Sequence, residues 1–303
     1  MQRLVVVSNR VGPIRESARA GGLAVALVDA LGEHGGLWFG WSGEIAEETG
    51  APAVQKVPPL TLATCDLGQQ DYDEFYLGFA NRALWPLFHY RIDLTSFDRQ
   101  DFQGYLRVNR KLADGLVPLL EPDDLVWVHD YHFLPFGEEL RRRGGRQRLG
   151  FFLHTPFPAP EVLTTLPVHD SLVRALFAYD LIGFQTPGDR NCFVHYVEQE
   201  QRGEILPDDR VLAFGRTIRA AVFSIGIDTD NFVGFAEAPE AQRVTDRLGS
   251  VLLGDRKLII GVDRLDYSKG LPQRFDAFHR LLELFPDNRR RVTFMQIAPH
   301  SRS

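Results

Sequence analysis

The sequence predicts an α/β protein with a doubly wound, largely parallel sheet, and two features of the chain support this class. Short apolar runs recur, and each ends in a polar or charged residue, which is typical of strands that are covered on both faces. Longer amphipathic stretches separate the runs, so strand and helix alternate along the chain. The runs lie at residues 4–9, 125–130, 149–154, 180–185 and 257–262.

The composition is that of a globular protein, with 303 residues, 44% of them hydrophobic and 24% charged. The net charge of −6 opposes general nucleic-acid binding, so no nucleic-acid partner is expected. No apolar run approaches the roughly 18 residues of a membrane span, and the N-terminus lacks a cleavage site. We therefore expect a cytoplasmic chain with no membrane partner. Cys65 and Cys192 are far apart in sequence and are expected to be reduced thiols.

Two helices are predicted from apolar residues that share one helical face. The first follows residues 4–9, and its face consists of Leu23, Leu27, Ala30 and Leu31. The second covers about residues 269–285, and its face consists of Phe275, Phe278, Leu281, Leu282 and Phe285.

The chain is predicted to divide near residue 235, because the apolar pattern lapses over residues 232–242 before a new helix and strand begin. Residues 1–235 then form an N-terminal Rossmann-like domain that carries most of the strands. Residues 236–303 supply one strand, one helix and a second strand, which is a single βαβ unit rather than a whole domain.

Ligands of doubly wound sheets bind outside the carboxyl ends of the strands, so the residues after each run are site candidates. Arg10 ends the first strand, and Gly21 and Gly22 open the following helix, where backbone N–H groups can approach a phosphate. A glycine pair before a helix is also ordinary turn chemistry, which remains an alternative. The sequence contains no GxGxxG motif, so a nicotinamide dinucleotide site has no support.

His129 and Asp130 end the second run, and His132 follows it by two residues. Three candidate ligands within four residues of a strand end are poorly placed to converge on one ion, so no metal site is predicted. His154 ends the third run and precedes a loop stiffened by three prolines in five residues, 156–160. A structural role and a role in a site remain open for His154.

Four aromatic residues lie in two segments between the first two runs: Trp38, Trp41, Tyr76 and Trp85. Aromatic planes with polar tips suit the faces of sugars, but most such residues fill protein cores. Their spacing does not decide between the two roles.

Ten segments occur in the order found in trehalose-6-phosphate synthases, a family of retaining glycosyltransferases with the two-domain GT-B fold. They are LVVVSNR, AGGLAVAL, GLWFGWSG, LWPLFHYR, GYLRVN, HDYHFLPF, GFFLHTPFPAPEV, DLIGFQT, SIGID and VDRLDYSKGLPQRF. The sequence resembles this family over essentially all of its 303 residues. The resemblance implies a GT-B type fold, with one complete Rossmann-like domain and the beginning of a second.

The resemblance also implies an activity, which is transfer of glucose from UDP-glucose to glucose 6-phosphate to give α,α-trehalose 6-phosphate. The nucleotide sugar is a substrate, and neither a cofactor nor a metal is expected. In the family, the residues that match Arg10, Tyr76, Trp85 and Arg302 hold the phosphate of the acceptor.

Family residues that match Asp130 and His154 contact the sugars at the reaction centre. The glycine that matches Gly22 approaches the pyrophosphate of the donor, and the basic pair that matches Arg264 and Lys269 binds its diphosphate. An arginine and a lysine at a strand end stabilise the negative charge that develops on the departing UDP. We therefore expect Asp130, His154, Arg264 and Lys269 to carry the catalysis.

The family continues beyond the segment that ends in "SR" into a stretch that completes the second sheet, so the resemblance predicts an incomplete C-terminal domain at residues 236–303. Two alternatives stay open. One is a related synthase with another acceptor, such as a glucosylglycerol-phosphate synthase. The other is a non-catalytic truncated homologue that acts as a binding or regulatory subunit. Self-association into a homo-oligomer is left open as well.

Overall fold

The computed structural model describes residues 2–11, 27, 31, 35–47, 50–249 and 253–299. The chain divides into two compact units, Met1–Ile225 and Gly226–Ser303, which are called unit 1 and unit 2 below. The division falls at residue 225, whereas the sequence predicted a boundary near residue 235.

The described part of unit 1 contains a ten-stranded sheet with the order β3-β4-β2-β1-β5-β6-β7-β10-β9-β8. The strands from β4 to β10 in this order pair in parallel, and β3, β9 and β8 pair antiparallel at the two edges. The α/β class predicted from the sequence is confirmed. The strands are β1 (Leu4–Arg10), β2 (Gly36–Ile45), β3 (Ala53–Val57), β4 (Leu60–Leu67), β5 (Leu125–His129), β6 (Arg148–Leu153), β7 (Leu181–Phe184), β8 (Glu204–Leu206), β9 (Arg210–Ala213) and β10 (Arg216–Val222).

The central strand β1 is buried on both faces, as its apolar run predicts. Val5 and Val7 pack into the larger core of the unit. Val6 points to the opposite face, where it packs with a smaller cluster that includes Leu27 and Leu31. Of the helix predicted after Gly22, Leu27 and Leu31 are the described members, and both are helical and buried.

Apart from the short 3₁₀ turns, six helices of unit 1 have both ends in the described residues. They are α1 (residues 69–88), α2 (Arg99–Leu116), α3 (Phe136–Arg142), α4 (Pro160–Leu163), α5 (His169–Leu176) and α6 (Pro187–Gln201). The central part of α1, Tyr72–Leu84, is a π-helix. The carboxylate of Asp98 caps α2 by accepting hydrogen bonds from the N–H groups of Gln100 and Asp101.

Buried ion pairs join α1 to α2. Asp71 and Glu74 of α1 are almost fully buried. Arg107 of α2 donates to Asp71 Oδ1 and to Glu74 Oε2, both at 2.7 Å. Gln100 donates to the other oxygen of Glu74. Because these carboxylates are paired and hydrogen-bonded, their burial is compatible with a stable fold.

The described part of unit 2 includes two consecutive helices and one βαβ element. The elements are α7 (Thr229–Glu237), α8 (Pro239–Leu248), β11 (Lys257–Val262), α9 (Leu271–Leu284) and β12 (Val292–Ile297). Strands β11 and β12 pair in parallel. The rings of Phe275 and Phe278 pack on Phe294 of β12, at 5.6 and 5.3 Å between centroids, so the predicted βαβ element is confirmed.

Residues 232–242, where the apolar pattern lapses, belong to α7 and α8 except for Ala238, which lies between the two helices. Alanine and glutamate favour a helix, and Pro239 occupies a first helical turn, where proline is tolerated. Among the described residues of the whole chain, no helix combines the length and the apolar character that crossing a bilayer requires.

Candidate active site

The site candidates of unit 1 meet at one edge of the sheet. Strands β2, β1, β5 and β6 are consecutive neighbours and run in parallel, so their carboxyl ends lie side by side. Arg10 ends β1, His129 ends β5, and His154 follows β6. The structure therefore brings these three predicted residues to one edge of the sheet.

The guanidinium of Arg10 lies over an aromatic surface. Its Cζ is 5.9 Å from the centre of the Trp41 ring. Trp41 in turn contacts Tyr72 and Tyr76 of α1, at 5.5 and 5.6 Å between ring centroids. Arg10 is exposed and forms no ion pair with a carboxylate in the described ranges, so its charge is available to an anion.

Tyr76 and Trp85 reach the segment that follows β5. The Tyr76 ring stacks on His132 with an angle of 14° and 5.9 Å between centroids. Trp85 is 7% exposed and packs against Tyr131 at 5.7 Å. The two aromatic residues thus contact adjacent residues of the short segment that begins with Asp130.

Asp130 has an unusual backbone conformation, with φ 76° and ψ 168°. Residues other than glycine rarely occupy this region, and its strain is commonly found at functional sites. Three hydrogen bonds hold the conformation: Asp130 N–H donates to Phe152 O, its carbonyl accepts from Phe133 N–H, and its Oδ1 accepts from His154 N–H at 3.3 Å. The Asp130 carboxylate and the backbone of His154 are therefore directly connected.

His154 is paired with His129. Nδ1 of His129 and Nε2 of His154 are 2.9 Å apart, so one ring donates a hydrogen bond to the other. Burial lowers the pKa of His154 from 6.5 to about 4. Burial, and to a smaller degree the neighbouring His154, hold the pKa of His129 well below its ordinary value. Both rings are therefore neutral near pH 7 and act through hydrogen bonds rather than charge.

Arg264 and Lys269 of unit 2 both lie just beyond the carboxyl end of β11 and are exposed. Lys269 ends a 3₁₀ turn whose first N–H groups are capped by Asp266, since Asp266 Oδ1 accepts from Ser268 N–H at 2.9 Å. Neither cation forms a salt bridge in the described part of the chain. Their exposed charges are suited to a polyanionic ligand.

Two predicted site residues, Gly22 and Arg302, lie outside the described residues. Sequence reasoning named Trp41 among the aromatic residues but did not assign it to the site, and it gave His129 no partner. The strand register accounts for both contacts. Arg10 pairs with Trp41 across β1 and β2. His129 pairs with Phe152 across β5 and β6, which brings it near His154, two residues further along the chain. No cluster of His, Cys, Asp and Glu that could hold a metal occurs in the described ranges.

The exposed arginine over aromatic rings lies at the carboxyl edge of a parallel α/β sheet, which is the edge where sheets of this class bind their ligands. The model of glycosyltransferase family 20 matches residues 4–303, and the chain belongs to this family. The family predicted from the sequence motifs is thus confirmed.

Known relatives support this assignment. A trehalose-6-phosphate synthase of Klebsiella pneumoniae is 48% identical over 303 residues, which is 100% of this chain and 64% of that relative. The structure of an α,α-trehalose-phosphate synthase (UDP-forming) from Burkholderia xenovorans in complex with glucose-6-phosphate matches with a TM-score of 0.94 and 51% identity. The match covers 99% of this chain and 66% of that one. An E. coli structure described as bound with UDP-2-fluoro glucose matches with a TM-score of 0.91 and 46% identity, covering 99% and 65%. The GT-B type fold class is confirmed by these neighbours.

Proposed function

We propose that this chain carries the acceptor and diphosphate sites of a retaining glucosyltransferase, which moves glucose from UDP-glucose to glucose 6-phosphate and forms α,α-trehalose 6-phosphate. The main support is the exposed guanidinium of Arg10, which lies over Trp41 at a strand end and has no ion pair with a described residue. An arginine fork matches the geometry of a phosphate, and the neighbouring aromatic rings suit a sugar. The relatives with bound glucose-6-phosphate and UDP-2-fluoro glucose agree with this proposal.

In the proposed reaction, the bond between glucose C1 and the UDP oxygen breaks while the acceptor oxygen bonds to C1 on the same face. The proton of the acceptor passes to the leaving phosphate. Arg264 and Lys269 stabilise the negative charge on UDP, and this stabilisation is greatest where that charge develops. Asp130 and His154 contact the sugars, and His154 does so as a neutral ring because burial lowers its pKa to about 4. The proposal includes no metal and no cofactor.

The proposed substrate sites include Arg10, Tyr76 and Trp85, which are described, and Gly22 and Arg302, which lie outside the described residues. Arg10, Tyr76, Trp85 and Arg302 would bind the acceptor phosphate, and Gly22 would approach the donor pyrophosphate. The proposed partners are therefore two small molecules, UDP-glucose and glucose 6-phosphate.

Replacement of Arg10 tests the acceptor site. Arg10→Ala should weaken glucose 6-phosphate binding by about tenfold to a hundredfold, because an arginine–phosphate hydrogen bond contributes on the order of 1.5 to 3 kcal/mol. UDP-glucose binding should change little. Calorimetric titration of the full chain measures both affinities, and Arg148→Ala is a matched control because Arg148 is exposed at the opposite end of a parallel strand, β6. An unchanged affinity for glucose 6-phosphate in Arg10→Ala would remove Arg10 from the site.

Two further measurements separate the alternatives. Competition between glucose 6-phosphate and glycerol 3-phosphate tests the acceptor, and tighter binding of glycerol 3-phosphate would favour the related synthase. UDP release from UDP-glucose and glucose 6-phosphate in the presence of EDTA tests transfer without a metal. Binding of both substrates without release would favour the non-catalytic alternative, and release that depends on added Mg²⁺ would contradict the metal-free step.

A further inference from the structure

Gly43 lies beside the guanidinium of Arg10, at a point where a side chain would not fit. Its backbone has φ +94°, which is in the region that favours glycine. A Cβ on Gly43 would come within 2.5 Å of Nε and Nη2 of Arg10 and within 2.7 Å of Cζ. Non-bonded carbon atoms sit at about 3.5 to 4.0 Å, so the guanidinium occupies the volume that a side chain at position 43 would need.

Irregular strand pairing brings Arg10 to this position. The register between β1 and β2 shifts between Ser8 and Arg10, so that Arg10 pairs with Trp41. The pairing of β2 with β4 shifts between Trp41 and Ile45, in the segment that contains Gly43. Bulges of this kind redirect side chains and occur next to active sites. As a result, the Arg10 guanidinium contacts both the Trp41 ring and the bare backbone of Gly43.

A side chain at position 43 would displace Arg10 rather than unpack the core. The atoms that a Cβ would meet belong to the far end of a long side chain, and Arg10 is exposed. Such a side chain can move toward solvent at little cost to folding. Within the described residues, the guanidinium lies between the Trp41 ring and the backbone of Gly43.

We propose that Gly43 is a positioning residue for Arg10. Its missing side chain leaves the space in which the guanidinium lies over Trp41 and is oriented toward the phosphate of the acceptor. The part of this inference that concerns the acceptor rests on the proposed function, whereas the placement of Arg10 by Gly43 does not.

Gly43→Ala and Gly215→Ala provide a matched pair. Gly215 also has a positive φ, +72°, but a Cβ there would meet no atom within 4 Å. Both variants therefore carry backbone strain, and Gly43→Ala alone displaces a side chain. In calorimetric titrations of the full chain, Gly43→Ala should bind glucose 6-phosphate about tenfold more weakly, and Gly215→Ala should bind it normally. In an Arg10→Ala background, Gly43→Ala should have no additional effect. Equal affinities in the two glycine variants, or an additive effect in the Arg10→Ala background, would overturn the proposal.

A spectroscopic measurement separates this inference from the proposed function. The Nε–H proton of Arg10 lies close to the Trp41 ring, so its NMR signal senses the ring current of Trp41. The signal is assigned by its loss in Arg10→Ala. This signal should shift in Gly43→Ala and stay in place in Gly215→Ala, with no ligand present. If it shifts while the unsubstituted chain binds no glucose 6-phosphate, the placement of Arg10 stands and the proposed function fails. A signal that does not shift, or failure of Gly43→Ala alone to fold, would contradict the placement of Arg10 by Gly43.

Discussion

Asp130 holds strain in its backbone at the point where β5 ends, with φ 76° and ψ 168°. Asp130→Gly and Asp130→Ala both remove the carboxylate and its hydrogen bond with His154 N–H, but only glycine adopts this conformation freely. The Gly variant should therefore be more stable than the Ala variant by about 1 to 3 kcal/mol. Urea unfolding of the two variants measures the difference. If both unfold at the same urea concentration, the backbone is not strained at this position.

The His129–His154 pair links stability to pH. Burial lowers the pKa of His154 from 6.5 to about 4, so between these values the unfolded chain binds a proton that the folded chain does not. The contribution of neutral His154 to the free energy of unfolding should be fully present above pH 6.5. It should fall by on the order of 3 kcal/mol as the pH drops to about 4. His129→Phe should make this acid loss smaller, because it removes a second ring whose pKa burial holds well below its ordinary value.

Urea unfolding at several pH values between 4 and 8 measures how the free energy of unfolding changes with pH. His195→Phe is the control, because His195 is exposed on α6 and its replacement leaves the buried pair intact. Parallel curves for His129→Phe and the unsubstituted chain would show that the pair does not titrate as described.

The packing of α2 on α1 depends on the absence of a side chain at Gly104. A Cβ there would overlap the side chain of Glu74 and come within 2.6 Å of its Oε2. Glu74 cannot simply move away, because it accepts hydrogen bonds from Arg107 and Gln100 while almost fully buried. Gly104→Ala should therefore cost about 1 to 3 kcal/mol of unfolding free energy, although alanine is the better helix former.

Thermal unfolding measures this cost. Gly188→Ala is the control, because Gly188 is exposed in α6 and a Cβ there would make only ordinary contact with Thr186 Oγ1 at 3.6 Å. Its stability should stay the same or rise. A stable Gly104→Ala variant would mean that the two helices separate at little cost.

Strands β1, β5, β6 and β7 were predicted from apolar runs, and most of their residues are buried. Strand β11 was predicted from the same kind of run, although most of its residues are exposed in the structure. The segment of β2 was interpreted only as a source of aromatic residues, because its three glycines obscure a strand pattern. Edge strands such as β3 are largely exposed and have little apolar pattern. The segment of α1 that forms a π-helix, Tyr72–Leu84, was likewise interpreted only as a source of aromatic residues.

At the scale of the whole molecule, the sequence indicated which candidate residues share one edge of the sheet but not the contacts among them. Parallel strands place Arg10, His129 and His154 at one edge whatever their register. The contact of Arg10 with Trp41 depends on two register shifts, and the backbone of Asp130 depends on hydrogen bonds from distant segments. Such features arise from tertiary packing and leave no local pattern in the sequence.

The two units differ in how much apolar surface they bury, and this difference should appear in their stability. In unit 1, the valines of β1 are fully buried, whereas Ile260 and Val262 of β11 are 57% and 64% exposed. Among the described apolar residues after Ile225, Leu271 alone is classed as buried. A two-stranded sheet with one packed helix gains little from burial, and local opening should therefore cost less free energy there than in the core of unit 1. Hydrogen exchange of the full chain should show amides of β11 and β12 exchanging at least about tenfold faster than those of β1, β5 and β6. Equal protection in both sets of strands would mean that unit 2 is stabilised by contacts other than the burial described here.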